Sequence, residues 1–317
     1  MRLRLIKNFH YSILVILVVL SFGQSAYSQD LASNQTHFTK ITDELYVLKR
    51  VGCNVGGLVG QDGVLIIDSG ARNQSAKIRS ILKEISEEPA RIVVNTHYHY
   101  DHVGGNEAFA KGGATIIAHK NTRDRMTQEW RVPEILGMKY PTIPPYPEIF
   151  RPKVSFTDSI TIHFNNETIQ AIHIPDGHSD GDIIVHFRKA NVIHTGDLYL
   201  SNGFPIIDIH HGGSVNGYIA AVDRIIKLCN ENTKIIPGHG PLSDRDGLIV
   251  YRDMLAKSRD RIEMHIKEGK TLEEIVAADP ISGLYGGEKS WLPPKLFIYC
   301  VYYDFFKTAT AMIMVSR

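Results

Sequence analysis

Cysteine is scarce in this chain: three of 317 residues, Cys53, Cys229 and Cys300, far apart and odd in number. A disulfide framework needs an even, regularly spaced set, so at least one thiol is unpaired. None sits at a metal-ligand spacing, and all three read as buried or incidental residues. An excess of charge is also missing, because 35 basic residues face 34 acidic ones for a formal charge of +1. No overall field would draw such a chain to nucleic acid or to an anionic membrane, so the expected partner is a small-molecule substrate. The apolar run from Ile13 to Leu20 falls short of the ~20 residues of a spanning helix. No cysteine at its end is placed to take a lipid.

That run belongs to a leader. Arg2, Arg4 and Lys7 make a positive start, and Ala26-Tyr27-Ser28 puts small residues where a signal peptidase reads. Cleavage is expected between Ser28 and Gln29, with residues 1–28 a signal peptide. The mature protein is then exported without a stable membrane anchor, to the periplasm if the source is Gram-negative.

The rest is long enough, and at 43% hydrophobic content apolar enough, for a sizeable core. Short strands are expected at Leu45 to Leu48, Gly56 to Val59 and Gly63 to Asp68, separated by glycine turns. Ile78, Ile81, Leu82 and Ile85 recur at helical spacing, with Lys77, Arg79, Lys83 and Glu84 opposite, which predicts an amphipathic helix over 75–85. A strand at Arg91 to Asn95, a short helix near Asn106 to Lys111 and a strand at Ala114 to Ala118 follow. Residues 129–152 hold six prolines among Trp130, Tyr140, Tyr146 and Phe150. Such a stretch excludes a regular helix or a central strand, and reads either as a substrate-facing wall or as a plain surface connection. A second meander is expected at 160–164, 168–174, 182–187 and 191–194. Amphipathic helices then lie around Leu255 to Ile266 and Leu272 to Ala277, ahead of an aromatic segment from Phe297 to Phe306.

Thr96 to Asn106 reads Thr-His-Tyr-His-Tyr-Asp-His-Val-Gly-Gly-Asn, with three imidazoles and a carboxylate inside six residues. No folding need explains that density. In extended backbone His97 and His99 share a face, while Asp101 and His102 diverge as the chain turns at Gly104 and Gly105. Two metal positions side by side are the natural reading, and zinc accepts both donor types. His178, Asp197 and His239 each stand where an expected strand empties into a tight turn, so they could converge on the same sheet edge. His163, His173, His186 and His194 lie within strands, where packing or solvation accounts for them.

The run His-x-His-x-Asp-His resembles the signature of the metallo-β-lactamase superfamily. That resemblance implies an α/β fold, a four-layer αββα sandwich over residues 29–247, with a helical C-terminal extension over 248–317. It also implies two Zn2+ per chain, the first held by His97, His99 and His178, the second by Asp101, His102 and His239, with Asp197 bridging them. The reaction implied is hydrolysis of an ester, thioester, lactone or amide by a metal-bridging hydroxide, with Asp101 helping to orient the water or take its proton.

Several readings stay open at this point. Asp68 matches a superfamily aspartate that supports the metal loop from behind, or it is an ordinary strand-to-helix cap. Tyr199 could donate to a developing oxyanion or simply pack. His210 and His211 lie in a loop able to face the site. Many zinc β-lactamases of the superfamily place cysteine at the position of Asp197 and a cation three residues later, where this chain has Leu200, so efficient β-lactam hydrolysis is not expected, while weak β-lactam hydrolysis by a zinc hydroxide stays open. The aspartate bridge is closer to glyoxalase II and to exported quinoprotein- and sulfur-oxidation-associated members. The tail from Arg245 does not align with glyoxalase II's cationic glutathione contacts. A mononuclear iron sulfur dioxygenase on the same fold, and a non-catalytic metal-binding protein, are the alternatives; His99 argues against the diiron flavoproteins, which carry glutamate there.

Overall fold

Leu65 and Ile67 alternate with Val64 and Ile66 along one strand, and all four are buried. Successive side chains of a strand point to opposite faces, so such a strand must be covered on both sides. The computed structural model describes residues 38–131, 134–139, 142–284 and 292–315, the last helix with side chains to Lys307. The expected leader at 1–28 lies outside the described residues.

The first sheet has seven strands in sequential order: β1 (Phe38–Lys40), β2 (Leu45–Leu48), β3 (Val55–Gly60), β4 (Gly63–Ile67), β5 (Ala90–Val94), β6 (Thr115–His119) and β7 (Val154–Phe156). It is antiparallel through β4 and parallel from β4 onward. The parallel steps need crossovers. Helix α1 (Ser75–Ile85) carries the first, while α2 (Tyr100–Val103) and α3 (Asn106–Lys111) lie on the second. Helix α4 (Lys120–Arg125) follows β6.

The second sheet contains β8 (Ser159–Phe164), β9 (Glu167–His173), β10 (Ile183–Phe187), β11 (Val192–His194), β12 (Lys234–Ile236) and β13 (Ser243–Asp244), in spatial order β13-β12-β11-β10-β9-β8. Only β11 and β12 pair in parallel, joined through α5 (Val215–Leu228). Helices α6 (Arg245–Lys267), α7 (Leu272–Ala278) and α8 (Lys295–Val315) complete the chain. The boundary expected at 247/248 falls in the first turn of α6.

Three apolar layers hold this together. Leu65, Ile67 and Val94 of the first sheet meet Ile183, Val185 and Phe187 of the second in a shared inner core. On the outer face of the first sheet, Val64, Ile66 and Val93 are covered by Ile78, Ile81 and Leu82 of α1 and by Phe109 of α3. On the outer face of the second, Ile184, Ile193 and Ile235 pack against Tyr218, Val222 and Ile225 of α5 and on into α6 and α8. The result is helix, sheet, sheet, helix, as expected. Each fully buried Leu, Ile or Phe contributes about 1.5–3 kcal/mol relative to exposure. Among the described residues no helix is long and apolar enough to cross a membrane.

Candidate metal centre

The histidine loop leaves the end of β5 and is fixed before it reaches its first imidazole. Asn95 and Asn106 hydrogen-bond side chain to side chain at 2.8 Å, and Ser69 Oγ donates to Asn106 Oδ1, also at 2.8 Å. Asp68 Oδ1 accepts from the Thr96 backbone N–H at 2.7 Å; Asp68 Oδ2 lies 2.8 Å from both Thr96 Oγ1 and His102 Nδ1. Asp68 is therefore the support behind the loop, and the capping alternative fails: the next helical turn has Ala71 at its cap. Gly105 allows the loop to close on this frame, since a Cβ there would lie 2.2 Å from the Ser69 carbonyl oxygen.

The other residues arrive from the second sheet. His178 sits in the turn after β9, ordered by Asp182, which accepts from Ser179 N at 2.7 Å and Ser179 Oγ at 2.6 Å. Asp197 lies in a single 3-10 turn after β11, and His239 follows β12. Asn54 of the first sheet's edge donates to the carbonyls of Pro237 and Gly240 at 2.8 and 2.9 Å, tying the His239 turn across the sandwich.

All seven sequence-expected residues meet at this common edge. His97, His99, His178 and Asp197 offer ligand atoms within 4.8 Å of one another, and so do Asp101, His102 and His239. The first three imidazoles are mutually 4.7 Å apart by ring centroid, with interplanar angles of 83° to 88°. Three rings edge to face around one point is how imidazoles surround an ion. Asp197 faces both groups: Oδ2 lies 4.0 and 3.9 Å from His97 and His178 Nε2, Oδ1 3.2 and 3.4 Å from His102 and His239 Nε2. Asp101 Oδ2 is 3.3 Å from His239 Nε2.

These donors fit a metal. His97 Nε2, His102 Nε2, His178 Nε2 and Asp197 Oδ1 are buried without a hydrogen-bond partner. Orphaned buried polar atoms are costly, and four in one place call for a common partner. Burial, then neighbouring His102, His178 and His99, holds the His97 imidazole well below its usual range, so it stays neutral with a lone pair to offer. Burial alone would raise the Asp197 carboxyl, but His102 and His239 outweigh it and hold it well below the usual carboxylate range.

Two residues went unrecognised in the sequence. Asp208 is a buried carboxylate whose Oδ2 lies 3.1 Å from His99 Nε2 and accepts from Tyr98, while its Oδ1 lies 2.8 Å from His211 Nδ1. With Nε2 so engaged, Nδ1 is the His99 nitrogen left to offer an ion, and a carboxylate behind a ligand imidazole fixes its tautomer. An aspartate in a loop some hundred positions from its histidine leaves no local signal. Cys53, read as incidental, lies within 4.8 Å of Asp68 and His102. Burial pushes its thiol up to about 12.

Beside the centre opens a cavity of about 220 Å³. Trp130 and Ile135 line it, so the proline-rich stretch does form a wall of the site, and Leu200 and His210 also line it. His211 does not; it serves Asp208. Tyr199 is no oxyanion donor: it is buried and its hydroxyl lies 2.8 Å from Ser243 Oγ, outside the cavity lining.

The family model of the metallo-β-lactamase superfamily matches residues 48–239, which include all seven of these residues. The chain belongs to the metallo-β-lactamase superfamily. A hydroxyacylglutathione hydrolase of Pelagibacter ubique is 31% identical over 211 residues, 64% of this chain and 75% of that one. A linear primary-alkylsulfatase of a Pseudomonas species is 25% identical over 277 residues, 76% of this superfamily member but half the length of that relative. Among solved structures, an inverting sec-alkylsulfatase from Pseudomonas superposes with a TM-score of 0.66 at 16% identity, over 86% of this chain and 50% of that one. A metallo-β-lactamase from Pontibacter korlensis superposes at 0.56 and 18%, over 70% of this chain and 99% of that one. These structural likenesses show the fold. Superfamily membership, hydrolase relatives and the two ligand groups together support a metal-binding hydrolytic enzyme.

Proposed function

We propose that this protein is an exported binuclear zinc hydrolase acting on an ester, thioester, lactone or amide. The observation that carries the reading is Asp197, whose two carboxylate oxygens face two separate imidazole groups. His97, His99 and His178 would hold one ion, Asp101, His102 and His239 the other, with Asp197 shared between them. Two zinc ions there would supply water acidified toward neutrality and a Lewis acid for the oxygen under attack.

The chain's own residues do the rest. Asp101 lines the cavity with its carboxylate toward His239, placed to orient the attacking water and take its proton. Asp68 and Asp208 hold His102 and His99 in position from behind, so the centre is built before substrate arrives. The completeness of the second group favours two ions over the single iron of a sulfur dioxygenase.

Elemental analysis of the mature protein tests this directly. About two zinc ions per chain, with loss in Asp197→Ala, supports the reading; one iron with little zinc overturns it in favour of oxygen chemistry. Full zinc loading with no turnover across thioester, lactone, ester and lactam panels would point to a metal-binding protein instead. Export is tested by sequencing the N-terminus of the mature chain: Gln29 supports it, Met1 overturns it.

A further inference from the structure

The cavity beside the metal centre has three walls from distant parts of the chain. Trp130 and Ile135 come from the proline-rich stretch, Leu200, Ile206, Ile207 and Ile209 from the segment after Asp197, and Leu292 and Tyr299 from the C-terminal helix and its approach. All of these are apolar or aromatic. Trp130 stands over the metal side, its ring 5.5 Å from that of His99.

Charge in the lining runs one way. Among the described residues Asp101, Asp197 and Asp208 are its only charged side chains, and none that lines it is a lysine or arginine. His210 is an exposed residue of the lining whose imidazole is lowered from its usual range, chiefly by desolvation, and its Nε2 lies 3.1 Å from Tyr299 Oη. Asp101 and Asp197 would be engaged by the metals, so a carboxylate or sulfate entering away from them would be desolvated among apolar walls beside Asp208, with no lysine or arginine among the described lining residues to meet it, a costly arrangement. An alkyl chain would replace water on apolar walls at a gain proportional to the surface it buries.

We infer that this cavity receives an uncharged apolar chain attached to the scissile group, so that the substrate is a lipophilic ester, thioester or amide without an anionic handle. The inference rests on the hydrolase reading for its reaction and on the cavity alone for its ligand. It excludes substrates recognised through carboxylates, such as glutathione conjugates and β-lactams, as the efficient ones.

Two measurements test it. In the first, octanamide and acetamide, both uncharged, are titrated calorimetrically into metal-free and zinc-loaded protein. The amide with the longer chain should bind at least about tenfold tighter in both forms, with a negative heat-capacity change. Ile206→Lys and Trp130→Ala, at half-buried positions, should each abolish that preference. Equal binding of the two amides, or a preference untouched by both variants, overturns the inference.

In the second, kcat/KM is compared for methyl acetate, methyl octanoate, octyl acetate and the octanoate analogue ending in a free carboxylate. Each methylene that enters the cavity should raise kcat/KM about threefold to fourfold, and the terminal carboxylate should erase the gain. Parity between the carboxylated and plain chains would overturn the inference. Tight octanamide binding with no turnover of any ester would leave the apolar site standing and sink the hydrolase reading instead.

Discussion

Each imidazole of the centre is only as well aimed as the group behind it. Asp208 bonds His99, His211 and Tyr98 at once, so Asp208→Ala frees the His99 ring and leaves buried partners unmatched. Zinc affinity should fall about 10- to 100-fold, read by competition with a chelating dye, while metal-free protein retains its far-UV circular dichroism. Gly238 is a steric counterpart: a Cβ there would lie 2.0 Å from Asp197 Oδ1. The same Cβ would meet the Gly196 backbone at 2.7 Å, so Gly238→Ala should displace the turn that carries Asp197 along with its carboxylate and lower the metal count measured by elemental analysis. Away from the centre, His186 is lowered from 6.5 to about 4 by burial and then by Arg188, against the pull of Glu167. Below the unfolded value the unfolded chain takes up the proton first, so stability is full above 6.5 and is lost as pH falls toward about 4. His186→Gln should flatten that part of the urea-midpoint profile against pH; an unchanged profile would exclude His186 as its source.

Among the elements, α8 does more than extend the chain. Phe297 is fully buried and stacks on Phe204 with centroids 5.2 Å apart, Asp304 accepts from the first backbone N–H of α5 at 2.9 Å, and Tyr299 reaches the cavity. Phe297→Ala should cost about 3–5 kcal/mol, seen in urea unfolding, and should loosen the cavity wall as well as the core. Periodicity made α1 readable, because Ile78, Ile81 and Leu82 bury one stripe against a sheet. The path of α8 was not readable, because its aromatic run has no single apolar face and its contacts lie about 90 positions earlier, at Phe204, Ile207 and Val215.

At the scale of the whole molecule the centre is a clasp. The first sheet brings His97, His99, Asp101 and His102; the second brings His178, Asp197 and His239. A ligand bound only by the folded state stabilises it by mass action, about 2.7 kcal/mol at a free concentration 100 times the Kd. Chelation should therefore lower the melting temperature, and zinc should restore it. A melting temperature indifferent to chelator would mean that the two sheets hold their edge without metal.

The sequence by itself determined the two meanders, the amphipathic helices and the histidine loop, since these depend on neighbours two to four positions apart. The spacing of His97, His99, Asp101 and His102 is likewise local and was legible as two diverging pairs. For His178, Asp197 and His239 the residues showed only strand ends, and the superfamily resemblance supplied their grouping. Only the tertiary structure decided that Asp208 backs His99, that Cys53 lies behind His102, that Tyr199 packs against Ser243, and that the cavity is walled by segments 70 to 170 positions apart. Such contacts arise where packed layers meet at an edge, and no local pattern encodes which distant side chain fills a given space.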